Sequence, residues 1–205
     1  MICFAPLSRR FSIGELKVGT LKTILTIPGL GGSGPAHWQS LWDTTRPGCR
    51  RVAQDNWNIP DYDAWMDGLT AALSACDEPP LLAAHSLGCA LVTHWAAKHP
   101  GTPIAGALLV APADVDSEIH TPPEAHIFAP MPMTRLPFPT TVVASSNDPY
   151  LDLHQAQVFA TAWGAEFVNI GAYGHINADS HLQGWDRGWD LLQELCEADS
   201  ALSRA

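Results

Sequence analysis

Residues 79–95 read PPLLAAHSLGCALVTHW. A proline pair is followed by a short apolar run, then by His85-Ser86-Leu87-Gly88, then by a longer apolar run. Leu81 to His85 predicts a buried strand, because the run is short, continuous and bounded by turn formers, and Leu87 to Lys98 predicts a helix. Ser86 therefore falls on a tight strand-to-helix turn, the setting that a G-x-S-x-G pattern marks for an exposed nucleophile. Here the first glycine is replaced by Ala84. The residues two before and two after the serine must be small, since the strand and helix backbones approach each other there. Ala84 adds a single methyl and Gly88 adds nothing, so the turn remains open to this chain. Taken alone, the pentapeptide also allows a serine that only caps a helix.

Working outward, apolar and amphipathic runs alternate. Leu21 to Ile27 reads as a strand leading into the Gly-rich PGLGGSG. PAHWQSLWDTT has helical spacing, with Trp38, Leu41 and Trp42 on one face, and Arg51 to Gln54 is a short strand candidate. In DYDAWMDGLTAALSAC, residues Trp65, Leu69, Ala72 and Leu73 share a helix face and Asp61 suits the N-cap. Further strands are expected at Ile104 to Ala111, Thr140 to Ala144 and Glu166 to Ile170, and further helices at Leu153 to Trp163 and Trp185 to Cys196. Strands that are apolar throughout and alternate with helices imply an α/β fold, a three-layer αβα sandwich around a mainly parallel sheet of about six strands. Residues 20–205 form the expected domain, and residues 1–19 an extension. One connection is irregular: Pro112 to Pro139 carries seven prolines, and a loop that long in a compact domain is usually functional, often as a lid.

The composition narrows the partners. A net charge of −10 with scattered Lys and Arg argues against nucleic acid and against anionic membrane surfaces. No apolar run approaches the roughly 20 residues of a membrane span, and the first residues lack the order of a secretory leader. Five widely spaced cysteines without a C-x-x-C pair point to neither a disulfide framework nor a metal site. A reducing cytoplasm is the expected location.

Chemistry in open parallel sheets gathers at the carboxyl ends of strands. Besides Ser86, Asp148 follows the Thr140 to Ala144 strand, and His175 follows the last strand between Gly171 and Gly174. By itself an Asp before Pro149 is most simply a turn residue. The interval to His175, however, has room for the one helix and one strand expected there. The chain order Ser86, Asp148, His175 is that of the Ser-Asp-His nucleophilic triads on α/β folds. Asp114 is the runner-up for the acid, one strand earlier. For an oxyanion, the amide of Leu87 opens a helix, and Leu30 in the Gly-rich loop is the best second donor. That loop fits neither nucleotide-binding glycine pattern, so no cofactor and no metal are expected. His85 reads as a packing or loop-bonding group, Trp38 as a core anchor and Cys89 as a small buried hydrophobe. His120 and His126, in the Pro-rich insert, are candidates for substrate contact.

With PGLGGSGPAHWQSLW, DNWNIPDYDAWMDGL, AHSLGC, ASSNDPYLDLHQA and GAYGHINADSHLQGW in place, the chain resembles the small α/β-hydrolase family that includes retinoblastoma-binding protein 9 and bacterial YdeN-like serine hydrolases. The resemblance runs from about Thr23 to Leu192. It implies a reduced α/β-hydrolase fold with little or no cap, and a triad of Ser86, Asp148 and His175. The expected chemistry is hydrolysis of a small-molecule ester or amide through an acyl-serine. The short insert predicts a fairly open site and small or medium acyl groups. The rival reading is a non-catalytic interaction module that keeps the fold, although such a module would not need all three groups.

Overall fold

A computed structural model describes residues 22–202 of the chain, with side chains through Cys196. The expected extension at residues 1–19 lies outside the described residues. In chain order come β1 (Ile24–Ile27), α1 (Trp38–Thr45), β2 (Cys49–Arg51), α2 (Tyr62–Ser74), β3 (Leu81–His85), α3 (Leu87–Lys98), β4 (Gly106–Val110), β5 (Thr140–Ala144), α4 (Leu153–Trp163), β6 (Glu166–Asn169) and α5 (Asp186–Leu202). Two short 3-10 helices, Pro123–Phe128 and Ala178–Ser180, lie in connections. All strand pairs are parallel, in the order β2-β1-β3-β4-β5-β6. Ile27 pairs with Ala84, His85 with Val110, Val110 with Val143 and Ala144 with Asn169. The carboxyl ends of five strands therefore line one edge of the sheet.

Side chains alternate across each strand, and the two faces bury different helices. Leu25, Ile27, Leu82, Ala84, Leu109 and Val142 pack with Trp65 and Leu69 of α2, Leu91 of α3 and Phe159 of α4. Ile24, Leu81, Ala83, Leu108, Val110 and Val143 pack with Trp38 and Trp42 of α1 and Leu191, Leu192 and Leu195 of α5. The three layers follow from strands that are apolar on both faces. Asp61 caps α2 as expected, accepting from the Ala64 amide at 2.9 Å.

Strands β1 and β4 are shorter than the apolar runs Leu21 to Ile27 and Ile104 to Ala111, and two other boundaries shift further. The edge strand β2 pairs through Cys49, Arg50 and Arg51 with β1, ahead of the expected Arg51 to Gln54. An edge strand of half-exposed polar residues is held by its hydrogen-bond ladder and leaves no apolar run to read. Helix α5 continues past Cys196 to Leu202. The Pro-rich insert forms no separate domain. Its 3-10 helix seats Phe128, fully buried, against the rings of Tyr62 and Trp65 at 5.2 and 5.8 Å. Among the described residues no helix is long and apolar enough to cross a membrane.

Candidate active site

Ser86 joins β3 to α3 with φ 54° and ψ −123°, a conformation that costs a non-glycine residue of order 1–3 kcal/mol and persists only where the surroundings impose it. They do so here. The Ser86 amide donates to Val110 O at 3.0 Å, and its carbonyl accepts from the Cys89 amide at 2.9 Å. A Cβ on Gly88 would lie 2.3 Å from Ile27 O and 2.8 Å from Pro28 O, so this position admits only glycine. Ala84, by contrast, is fully buried with its methyl in the core.

The Gly-rich loop crosses directly over this turn. A Cβ on Gly29 would stand 2.8 Å from the Leu87 amide nitrogen and 2.9 Å from Ser86 Cβ. Beyond it, the Gly31 and Gly32 amides donate to Trp57 O and Gly29 O at 2.7 and 3.0 Å, and Leu30 lines the cavity at Ser86. Leu87 is the first residue of α3, so its amide has no intrahelical acceptor. The far end of the loop is pinned: Ser33 Oγ donates to Gln39 Oε1 at 2.5 Å, Gln39 Nε2 to Ala83 O at 2.8 Å, and Arg51 to Ser33 O at 3.0 Å.

His175 reaches Ser86 from the loop after β6. Its Nε2 lies 2.8 Å from Ser86 Oγ, and its Nδ1 lies 2.9 Å from each carboxylate oxygen of Asp148. An imidazole bonded to a carboxylate through Nδ1–H leaves Nε2 as acceptor for the serine hydroxyl. The Asp148 side chain is 1% exposed and that of His175 9%, so the pair works in a dry setting. The Asp148 carboxylate also accepts from the Tyr150 amide at 2.9 Å.

The loop carrying His175 is latched from several sides. Ser145 Oγ accepts from the Tyr173 amide at 2.9 Å, and Asn147 Oδ1 accepts from the Gly174 amide at 2.7 Å. His85 Nε2–H donates to His175 O at 2.8 Å, and the Trp38 indole donates to Ile176 O at 3.0 Å. Ile176 itself is buried at φ 49°, a strained conformation for a β-branched residue and a further sign that the loop is held and not relaxed. Thus His85 is the loop-bonding group expected and Trp38 a core anchor. Ser145, Asn147 and Tyr150, whose ring meets that of His175 edge-on at 4.6 Å, were not foreseen as parts of the site.

His37 was not foreseen either. It caps α1 by accepting from the Gln39 amide through Nδ1 at 3.1 Å, while its Nε2 has no partner among the described residues. Its ring contacts that of His85 at 4.7 Å, and His85 contacts His175 at 4.8 Å. Burial, with the nearby Arg51 charge adding to it, lowers the His37 pKa to about 3. Burial and the two neighbouring imidazoles also hold His85 well below the ordinary range. The unfolded chain protonates a histidine near pH 6.5. Below that pH the unfolded state takes up protons that the folded state refuses, and stability falls as pH drops towards the folded pKa. For His37 this amounts to about 2 kcal/mol at pH 5. Urea titrations at pH 7 and pH 5 are expected to show a smaller loss of stability in His37→Gln than in the parent. Equal losses in the two proteins would contradict the assignment.

The other candidates lie elsewhere. Asp114 is not on His175; its amide donates towards Tyr150 O at 3.4 Å, its carbonyl accepts from Thr121 Oγ1 at 2.5 Å, and burial raises its carboxyl pKa. His120 Nδ1 bonds Pro149 O and His126 Nε2 bonds Thr121 O, both at 3.1 Å. Neither histidine lines the cavity at Ser86. The insert reaches that cavity instead through Thr121, Pro122 and Ala125, which cover it on this side. Cys89 is fully buried, as expected. No group of three or more His, Cys, Asp or Glu side chains among the described residues is arranged to hold a metal ion.

Comparison with known proteins adds to this geometry. A family model described as serine hydrolase matches residues 24–194. A protein of Pectobacterium atrosepticum assigned as a YdeN-like hydrolase is 35% identical, aligns over 86% of this chain and 91% of its own, and superposes with a TM-score of 0.77. The ydeN product of B. subtilis, 18% identical over 85% of this chain and 98% of its own, has a TM-score of 0.67. A thermophilic esterase from Thermogutta terrifontis, 16% identical over 88% of this chain and 91% of its own, has a TM-score of 0.62. The last two speak to the fold alone. No curated protein matches the chain.

Proposed function

Because the chain belongs to the serine hydrolase family, small α/β-hydrolases with YdeN-like members, we propose that it cleaves a carboxylic ester or amide through an acyl-serine on Ser86. The observation that carries this reading is the unbroken hydrogen-bond chain from Ser86 Oγ through His175 to Asp148.

In the proposed reaction Ser86 Oγ attacks the substrate carbonyl carbon while His175 Nε2 takes the hydroxyl proton. Asp148 holds the imidazole in the tautomer that can accept this proton and stabilises the imidazolium that results. The carbonyl oxygen, now negative, receives the Leu87 and Leu30 amides. The tetrahedral intermediate collapses, the C–O or C–N bond breaks, and His175 returns the proton to the departing alcohol or amine. Water then attacks the acyl-serine, again losing its proton to His175, and releases the acid with Ser86 restored. No cofactor or metal enters this scheme. We place the protein in a reducing cytoplasm, a reading supported by Cys49, Cys76 and Cys89, which form no disulfide among the described residues. A small molecule is the proposed partner, with neither nucleic acid nor membrane.

Labelling with a fluorophosphonate tests the reading. Folded protein is expected to be modified at Ser86 within minutes, and Ser86→Ala to be inert. A folded parent that stays unlabelled beside a reactive control hydrolase would return the chain to the rival class, an interaction module on a hydrolase fold.

A further inference from the structure

The cavity that opens onto Ser86 has a volume of about 200 Å³. Leu30 and Leu87 form part of its wall, and Ala113 follows β4 on another side. The Pro-rich insert covers one side through Thr121, Pro122 and Ala125, while His37, Tyr150 and Asn177 line the opposite, more polar side. Apart from the hydroxyl of Thr121, which is spent on Asp114 O, the insert's wall presents methyls, methylenes and a proline ring. On this side the cavity meets an apolar group by shape and size.

The roof is also fixed. Phe128, fully buried, anchors the 3-10 helix in the core between α2 and α3, and its carbonyl accepts from His94 Nε2 at 2.6 Å. His94 is oriented in turn by the Tyr62 hydroxyl at 3.2 Å. The Met131 amide donates to the Asp116 carboxylate at 3.1 Å, and His126 and His120 close the other bonds described above. A packed, hydrogen-bonded element of this kind does not stretch by small increments to admit a longer guest.

We propose that this 3-10 helix sets the acyl-chain length, with Ala125 as the residue that closes the acyl pocket, and that the substrates are esters or amides of short acids. The inference rests on the acyl-serine reading above. A cavity of about 150 Å³ holds a benzene ring, so this one matches an acyl group of about two to six carbons in size. Ala125 is buried within the roof and lines the cavity, so a larger side chain there takes up space on the cavity side.

The test is a series of p-nitrophenyl esters, from acetate through butyrate, hexanoate and octanoate to decanoate, on the full chain, with fluorophosphonate labelling of the same samples. In the parent, kcat/KM is expected to peak at or below hexanoate and to fall at least about tenfold by decanoate. One methylene too many in a fitted apolar pocket is worth about 10–200-fold. Ala125→Val is therefore expected to lower the hexanoate-to-acetate ratio about tenfold, and Ala125→Gly to raise it. A peak at octanoate or decanoate overturns the inference, as does a change that scales all esters alike in both variants. If Ala125→Val does not fold, the parent profile and Ala125→Gly decide. Labelled Ser86 with no ester turned over overturns this inference alone, whereas unlabelled Ser86 with no turnover overturns the hydrolase reading beneath it.

Discussion

Ser86→Ala is expected to lower kcat on p-nitrophenyl acetate by about 10⁴–10⁶-fold, with the protein still folded. The variant removes one oxygen whose only described partner is His175 Nε2 at 2.8 Å. Alanine inherits the same strained backbone at φ 54°, so no strain is released and one hydrogen bond of about 1 kcal/mol is lost. For a chain of this size, that shifts the melting temperature by about 2–4 °C. Steady-state kinetics beside thermal unfolding check both halves. Turnover within tenfold of the parent would move the nucleophile to another residue.

The second large effect separates the two candidate acids. Asp148→Asn is expected to cost about 10⁴-fold in kcat, because a carboxamide can present its N–H to His175 Nδ1 and favour the tautomer whose Nε2 cannot accept the serine proton. It also removes the negative charge that faces the imidazolium across 2.9 Å in a nearly water-free setting. Asp114→Asn is expected to stay within about threefold of the parent, since its bonds to Tyr150 O and Thr121 run through its backbone and a carboxamide oxygen can still accept from the Asp116 amide. Kinetics on the pair decide the matter. A large loss in Asp114→Asn and a small one in Asp148→Asn would exchange their roles.

Much of the fold was legible because apolar strands between turn formers are hard to mistake. β3, α3, β5 and α4 have the expected boundaries, and Asp61 caps α2 as its type predicts. What escaped reading depends on tertiary neighbours. In β2 the residues Cys49, Arg50 and Arg51 carry no strand pattern, and only the ladder to β1 makes them one. Ser145 and Asn147 look like ordinary turn formers beside Asp148, although their side chains grip a loop far along the chain. His37 did leave a signal, a helix start whose capping residue is not among the favoured Ser, Thr, Asp and Asn. In the insert, the prolines mark a loop, and its reactive side chains are His120 and His126. The cavity is met instead by Ala125, whose contribution is bulk and so leaves no mark in a search for reactive groups.

The edge-on alignment of the strand ends also dictates when this centre can exist. Ser86 and His175 stand 89 residues apart and come from β3 and from beyond β6. Bringing such distant segments together costs loop-closure entropy, and sheets built from distant parallel pairs form slowly. A nascent chain that has released β1 to β5 carries the serine and the carboxylate but no base to join them. On the acyl-serine reading proposed above, Ser86 therefore stays without its base until the loop after β6 has been made and docked.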